Sequence, residues 1–336
     1  MMPEFGFPTQ HRNHSMSLII ASLRDRSDAA RVESVTGRFE DVTSELGGSV
    51  SELMQIEKSI LDLKGYADTI ALAEARADVT QKSMSRIREV AQSLADATAL
   101  LSANGTTSDF ENLSAQAREE FGSVVSALNV HFAGRALFAG DDSSGLAISD
   151  QNTIQTLGVP FLEGAASATA GYNTLMSEFT SAGATFDTSV YQGGAGDSPP
   201  AIVAPGEVVE YGVKADESAF RSVLANLVAL GAAFDPTNSI SDDQRRELTA
   251  LASEGLRADI SQIISAEGRV GSAEGRIATI KARNIASEAS LTIAFNNLAG
   301  ADQLNAAIEI TELERQLETA FATTARMSNL SLVNFL

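Results

Sequence analysis

Proline is absent from residues 9 to 159 and again after Pro236, while five of the seven prolines (160, 199, 200, 205 and 236) fall between. A proline inside a helix removes a hydrogen bond and collides with the preceding turn, so proline-free stretches are where long helices can run. The chain therefore has two helix-permissive ends and a turn-rich middle. Three of the four tyrosines, Tyr172, Tyr191 and Tyr211, and the run Gly193-Gly194-Ala195-Gly196 also lie in that middle.

Both ends carry apolar residues at steps of three and four, the spacing of a helix face that packs on another helix. Val32, Val35, Phe39, Val42 and Leu46 keep this spacing until Gly47-Gly48 interrupts it. Leu53, Ile56, Ile60, Leu63, Ala67 and Ile70 begin a longer stripe that Ala77 and Met84 continue. From Met84 it passes in a shifted phase through Ile87, Ala91, Leu94 and Leu101, a stutter that unwinds a supercoil locally without ending the helix. A helix over 49–104 spans roughly 80 Å. Asn104-Gly105 supplies a stop, and Ser108 or Asp109 can cap a further helix to about Phe132. Near the other end, Leu256, Ile260, Ile263, Val270 and Ile277 share a stripe into which Glu267 and Glu274 fall, and Leu291, Ala294, Leu298 and Ala301 follow in another phase. In the middle, Val203 to Val213 reads as short strands around Pro205-Gly206, and Ser218 to Ala233 as a helix.

The expected fold is mainly α: a long antiparallel helical rod formed by the N- and C-terminal arms, with a small α/β insert between them. The expected divisions are a flexible segment over 1–15, an N-terminal arm over 16–140, the insert over 141–240 and a C-terminal arm over 241–336. The arm-packing seam is assigned to Val35, Phe39, Val42, Leu53, Ile56, Ile60, Leu63 and Ile70. A second candidate surface is the tail. Leu313, Leu317 and Met327 lie on the last heptad stripe, and Leu330, Leu332, Val333, Phe335 and Leu336 follow with no charge after Arg326. An apolar terminus of this kind suits burial against a partner; its bland alternative is a terminal helix docked on its own domain.

Composition narrows the function. Lys plus Arg total 24 against 44 Asp plus Glu, a net charge of -20 that repels nucleic acid and anionic membrane surfaces. Cysteine is absent, which excludes disulfides and thiolate metal sites. No uncharged apolar stretch reaches the about 18 residues of a membrane span, and Met1 to Ser17 lacks the apolar core of a secretory signal. The expectation is a protein that stays inside or leaves by a route without a cleaved signal. His11 and His14 are three apart, but no third ligand lies near, and His131 reads as a packed or hydrogen-bonded side chain. Asp141-Asp142-Ser143-Ser144-Gly145 lacks the alternating acids and the distant Glu of a calcium loop. The glycine-rich run at 193–196 has no Lys-Ser/Thr behind it and is a poor phosphate loop. No G-x-S-x-G elbow occurs. No catalytic, cofactor or metal residue is assigned, and the chain is expected not to be an enzyme.

Four segments in order resemble the bacterial flagellin family. Thr36-Gly37-Arg38 is similar to its Ser/Thr-Gly-basic turn after the first helix. Asn129 to Gly140, with Gly134-Arg135-Ala136-Leu137-Phe138-Ala139-Gly140 at its end, resembles the stretch that closes the first arm. Tyr211-Gly212-Val213-Lys214-Ala215-Asp216, followed by Phe220-Arg221, resembles the strand and helix leading out of the insert. The ending Leu330-Ser331-Leu332-Val333-Asn334-Phe335-Leu336 is similar to that of the hook-associated members, whose last residues read Leu-Ser-Leu, a variable pair, then aromatic-Leu. The opening Met1-Met2-Pro3-Glu4-Phe5-Gly6 departs from the family's Met-Arg-Ile-Ser-type start and marks a divergent branch. The resemblance implies a secreted structural protein in the axis of the flagellum, exported unfolded through the flagellar type III channel. Its implied partners are further copies of itself in a ring, a hook-side junction protein, flagellin, and an export chaperone on about Gln303 to Leu336. Filament flagellin, and an unrelated secreted or signalling coiled coil, are the other readings.

Overall fold

The structure is a computed structural model that describes residues 7–43, 47 and 50–333; nothing is described of the side chains of 7–13, 103 and 327–333. The proline-free ends become long helices: α1 (Phe7–Thr36), α2 (Val50–Asn104), α3 (Thr107–Leu128), α7 (Asp242–Ala299) and α8 (Gln303–Val333). The middle supplies α4 (Gln151–Gly158), α5 (Ala168–Thr180), α6 (Ser218–Ala233) and four short strands. These are β1 (His131–Phe132), β2 (Arg135–Ala136), β3 (Ala201–Ala204) and β4 (Glu207–Val209), paired as two antiparallel hairpins.

Local chemistry sets the boundaries. α1 stops at Thr36 because Gly37 adopts φ +68°, so the apolar spacing that runs on to Leu46 does not continue one helix. α3 opens on a capping box: Asp109 N donates to Thr106 Oγ1 at 3.3 Å, and Thr106 N donates back to the Asp109 carboxylate at 2.8 Å. The cap is thus Thr106, and Asp109 is its reciprocal partner. Those hydrogen bonds hold the Asp109 carboxyl below the usual carboxylate range. β3 and β4 turn at Pro205-Gly206, where Gly206 supplies φ +72° beside a proline-fixed neighbour.

Residues divide into two compact units, 1–64 with 285–336, and 65–284. In the second unit, α2 and α7 run antiparallel. Lys281 Nζ meets Glu74 at 2.7 Å, Gln81 donates to the Glu267 carbonyl at 2.8 Å, and Arg257 donates to the Ala95 carbonyl at 3.3 Å. The charge in the α7 stripe has its explanation here. Arg88 Nε reaches both Glu267 oxygens at 3.1 Å and Ser85 donates at 3.3 Å, so the carboxylate enters the helix seam already paired.

Residues 141–240, expected as a small α/β insert, share a core with the helices. α6 is buried on all sides, from Ala219 to Ala233 except Arg221, as a helix apolar all round must be. Phe110 of α3 stacks on Phe234 with centroids 5.1 Å apart, Ser114 donates to the Leu230 carbonyl, and Arg118 donates to the Gly231 carbonyl at 2.7 Å. Phe138, just after β2, meets Phe220 edge-on at 5.8 Å. One cluster therefore joins Met84, Ile87 and Leu94 of α2 to Phe121 of α3, Phe220 of α6 and Leu256 and Ile263 of α7. The inner face of the β3–β4 hairpin covers a second cluster of Ile70, Ala73, Ala273, Ile277 and Ile280.

Candidate assembly surface

In the first unit α1 ends at Gly37, beside the junction of α7 and α8. Phe39 N donates to the Ala299 carbonyl at 3.1 Å and Ala301 N to the Gly37 carbonyl at 3.0 Å, which closes an antiparallel bridge between Arg38 and Gly300. From that bridge α1 and α8 pack along each other. Arg38 lies over the Phe295 ring at 5.2 Å and, further along, Arg24 over the Phe321 ring at 5.3 Å. Arg26–Glu309 at 2.6 Å and Arg31–Glu314 at 3.1 Å flank the pair as exposed ion pairs that contribute little to stability.

The buried seam between these helices is thin and made largely of small residues: Ser27, Ala30, Ala306 and Leu313. Ser27 Oγ is buried there without a hydrogen-bond partner. Ile20, Leu23, Ile310 and Leu317 are half-buried on the same helices, while other large apolar residues point out. Leu18, Ile19, Val32 and Val35 of α1 and Leu304, Ile308 and Phe321 of α8 are exposed, Val35 by 81% and Leu304 by 70%. Each such side chain contributes about 1.5–3 kcal/mol when fully buried, so these faces have the chemistry of a surface that a helix partner covers.

The seam assigned from the sequence does not come together as one stripe. Val35 is exposed and lies outside the α1–α8 packing, because the stripe facing α8 passes through Ser27 and Ala30. Leu53 is buried, and Phe39, Val42, Ile56, Ile60 and Leu63 are half-buried, all in the first unit. Ile70 belongs to the hairpin cluster of the second unit. Of the tail residues, Leu313 is buried against α1's side of the pair and Leu317 is half-buried. Met327, Leu330, Leu332 and Val333 lie on the α8 backbone with side chains outside the described ones, and Phe335 and Leu336 lie outside the described residues. Sequence reasoning missed Ser27, Ala30 and Ala306; the available signal was the stripe Met16, Ile20, Leu23, Ser27 and Ala30, at steps of four, three, four and three.

Gly37 permits the turn that ends α1 beside Ala299 and Ala301. Its φ of +68° disfavours any other residue, and a Cβ there would sit 3.2 Å from Gln303 Nε2. Gly37→Ala is expected to cost about 1–2 kcal/mol locally. The readout is faster amide exchange at Phe39 and Ala301. Gly65→Ala, in open space within α2, should stabilise its helix by about 0.5–1 kcal/mol. Equal responses from the two changes would refute the assigned role of the Gly37 turn.

Residues 9–151 match the family described as the bacterial flagellin N-terminal helical region. The match takes in the whole of α3, the β1–β2 hairpin and most of α1. A search of curated proteins gives no match. Among solved structures, one described as a flagellar hook-associated protein from Vibrio parahaemolyticus superposes with a TM-score of 0.55 at 11% identity, over 76% of this chain and 99% of that one. It shares the fold: mainly α, with small hairpins. A Bacillus cereus FlgL structure, at 16% identity over 74% of this chain and 97% of that one, has a TM-score of 0.41, too slight a likeness to carry weight. The flagellin-type region is that of a structural protein of the motility apparatus, not an enzyme. Among the described residues no helix is long and apolar enough to cross a membrane and no cluster of acidic or histidine side chains has the form of a metal site. The His131 ring lies between two carbonyls, Nδ1 2.8 Å from that of Asn129 and Nε2 3.1 Å from that of Gly145.

Proposed function

We propose that this chain is a structural subunit of the bacterial flagellum that joins hook to filament, packing through its terminal helices into a ring between the hook-side junction protein and the first flagellin subunits. The observation that carries the reading is the flagellin-type region over 9–151. The outward apolar faces of α1 and α8 support assembly through these helices. The tail from Leu330 to Leu336 supports the junction over the filament, since it resembles the ending of hook-associated proteins. On this reading the subunit is exported unfolded through the flagellar type III channel, with a chaperone on about 303–336 beforehand, and resides outside the cell. Filament flagellin is the second reading, favoured by the match being to a flagellin region.

The two readings differ in position and copy number. Immunogold on isolated flagella is expected to mark one band at the hook end. Gold along the whole filament would instead make the chain a flagellin. Deleting residues 327–336 should leave the 65–284 unit with its wild-type melting temperature while filaments detach and flagellin accumulates in the medium. A truncated strain that keeps full-length filaments would remove the tail from the assembly surface.

A further inference from the structure

The 65–284 unit contains a narrow cleft with two guanidinium groups and no carboxylate among its lining residues. Arg76 and Thr80 enter it from α2, one turn apart, Arg135 from β2, and Ser198, Tyr211 and Gly212 from the segments on either side of the β3–β4 hairpin. Arg76 Nε is buried and has no hydrogen-bond partner, and the Arg76 side chain takes part in no ion pair among the described residues. Arg135 Nε is held by Ser143 Oγ at 2.9 Å, a neutral partner that leaves its charge unbalanced. Both arginines, each partly exposed, line one cleft in a chain of net charge -20, in which acids outnumber bases. A cleft with two cationic forks and no carboxylate suits an anion, and a buried donor without an acceptor is a cost that an occupant removes.

Glycines allow the walls of the cleft to approach each other. Gly140 adopts φ +66° and a Cβ there would fall 2.5 Å from the Gly196 carbonyl oxygen; a Cβ on Gly212 would fall 2.5 Å from Ser198 Cβ. The free space is about 20 Å³. That accepts one or two oxygen atoms and not a tetrahedral anion with its substituents, since a single water needs roughly 10–15 Å³ on the same measure. A carboxylate meets both requirements: it enters tip-first, and its two coplanar oxygens match the fork of a guanidinium.

We propose that this cleft is a carboxylate-binding site, with Arg76 and Arg135 clamping the two oxygens. The carboxylate has two possible sources, a free small organic acid or an Asp or Glu side chain of a second copy of this chain. The geometry is confined to the 65–284 unit, so the site stands apart from the flagellar reading.

The test uses the full chain with sodium acetate, against sodium chloride at matched ionic strength. Acetate is expected to raise the melting temperature of the wild type saturably beyond the chloride response and to shift the Arg76 Nε–H resonance. Arg76→Gln and Arg135→Gln should each abolish the saturable response, and Arg76→Lys, which keeps the charge and loses the fork, should weaken it about tenfold. Arg276→Gln, exposed on α7 and outside the cleft, should keep it. Sedimentation velocity separates the sources. Self-association that acetate competes away and that both Gln variants lose assigns the carboxylate to a second copy; a monomer that still binds acetate assigns it to a free acid. An acetate response that persists in both Gln variants overturns the proposal. So does a wild type with neither a saturable response nor a shift at Arg76, whose self-association the variants leave unchanged; these wild-type measurements hold even if a variant folds poorly.

Discussion

Phe220→Ala is expected to lower the unfolding free energy of the 65–284 unit by about 3–5 kcal/mol, the range for removing a fully buried phenylalanine ring. Phe220 opens α6 with no solvent exposure and meets Phe138 edge-on, at 78° between planes. Phe138 comes from the Gly134–Gly140 stretch and Phe220 from the far side of the middle region, so the pair ties both edges of 141–240 into one core. The double change Phe138→Ala/Phe220→Ala should fall short of the sum of the single effects by about 0.5–1.5 kcal/mol, the coupling of an aromatic pair. The extent of the damage is as informative as its size. With the core shared, urea denaturation should remain a single transition, and amide protection at Met84, Ile87 and Leu94 of α2 should fall together with that of α6. A loss below about 1 kcal/mol, or α2 amides that stay protected while α6 opens, would show that 141–240 unfolds independently of α2.

The second large effect is a dependence on pH centred on Asp259. Its side chain is buried on α7 facing α6, where Asn226 Nδ2 donates to Oδ2 at 2.7 Å and Tyr172 OH donates to Asn226 Oδ1 at 2.7 Å. Burial raises its pKa from 3.8 to about 6, against which the hydrogen bonds of Ser222 and Asn226 pull only partly. The same desolvation, with the Asp259 charge beside it, pushes the Tyr172 hydroxyl up to about 12. Because the folded pKa lies above the unfolded one, the folded chain holds the extra proton. The stability this gives is fully present below about pH 4 and is lost as pH rises through about 6; two pKa units correspond to about 3 kcal/mol. Asp259→Asn keeps an acceptor for Asn226 and removes the charge. The variant should therefore gain on the wild type progressively from pH 4 to 7, by up to about 3 kcal/mol. Comparing the two proteins at each pH cancels the general effect of the -20 net charge. A difference that is flat across this range, or one that shrinks as pH rises, would show that Asp259 is ionised at no cost in the fold.

The local grammar of this chain is legible from residues alone. Where prolines are missing, α2 and α7 run for 55 and 58 residues. Pro205-Gly206 makes the hairpin turn and Ser218–Ala233 the helix, as their residue types dictate. The four flagellin-like segments lie in the order that the match over 9–151 partly covers. These are properties of neighbours in sequence, set by backbone preference and by which side chains recur on one face.

What only the tertiary structure decided concerns partners far apart in the chain. The pattern placed Glu267 in an apolar stripe, but only folding put Arg88 opposite it. The apolar α6 had to be buried, but its sequence does not say that α3 and Phe138 enclose it. The spacing of Val35 with Phe39 suggested a continuing seam, whereas α1 ends before Gly37, Val35 is exposed, and Ser27 and Ala30 are buried. Asn226 and Asp259 are ordinary polar residues until the fold removes water from around them. Periodicity records that a face will be buried; the distances and charges that meet there arise only when segments separated by tens to hundreds of residues are brought together, and it is those meetings that set pKa, pairing and binding.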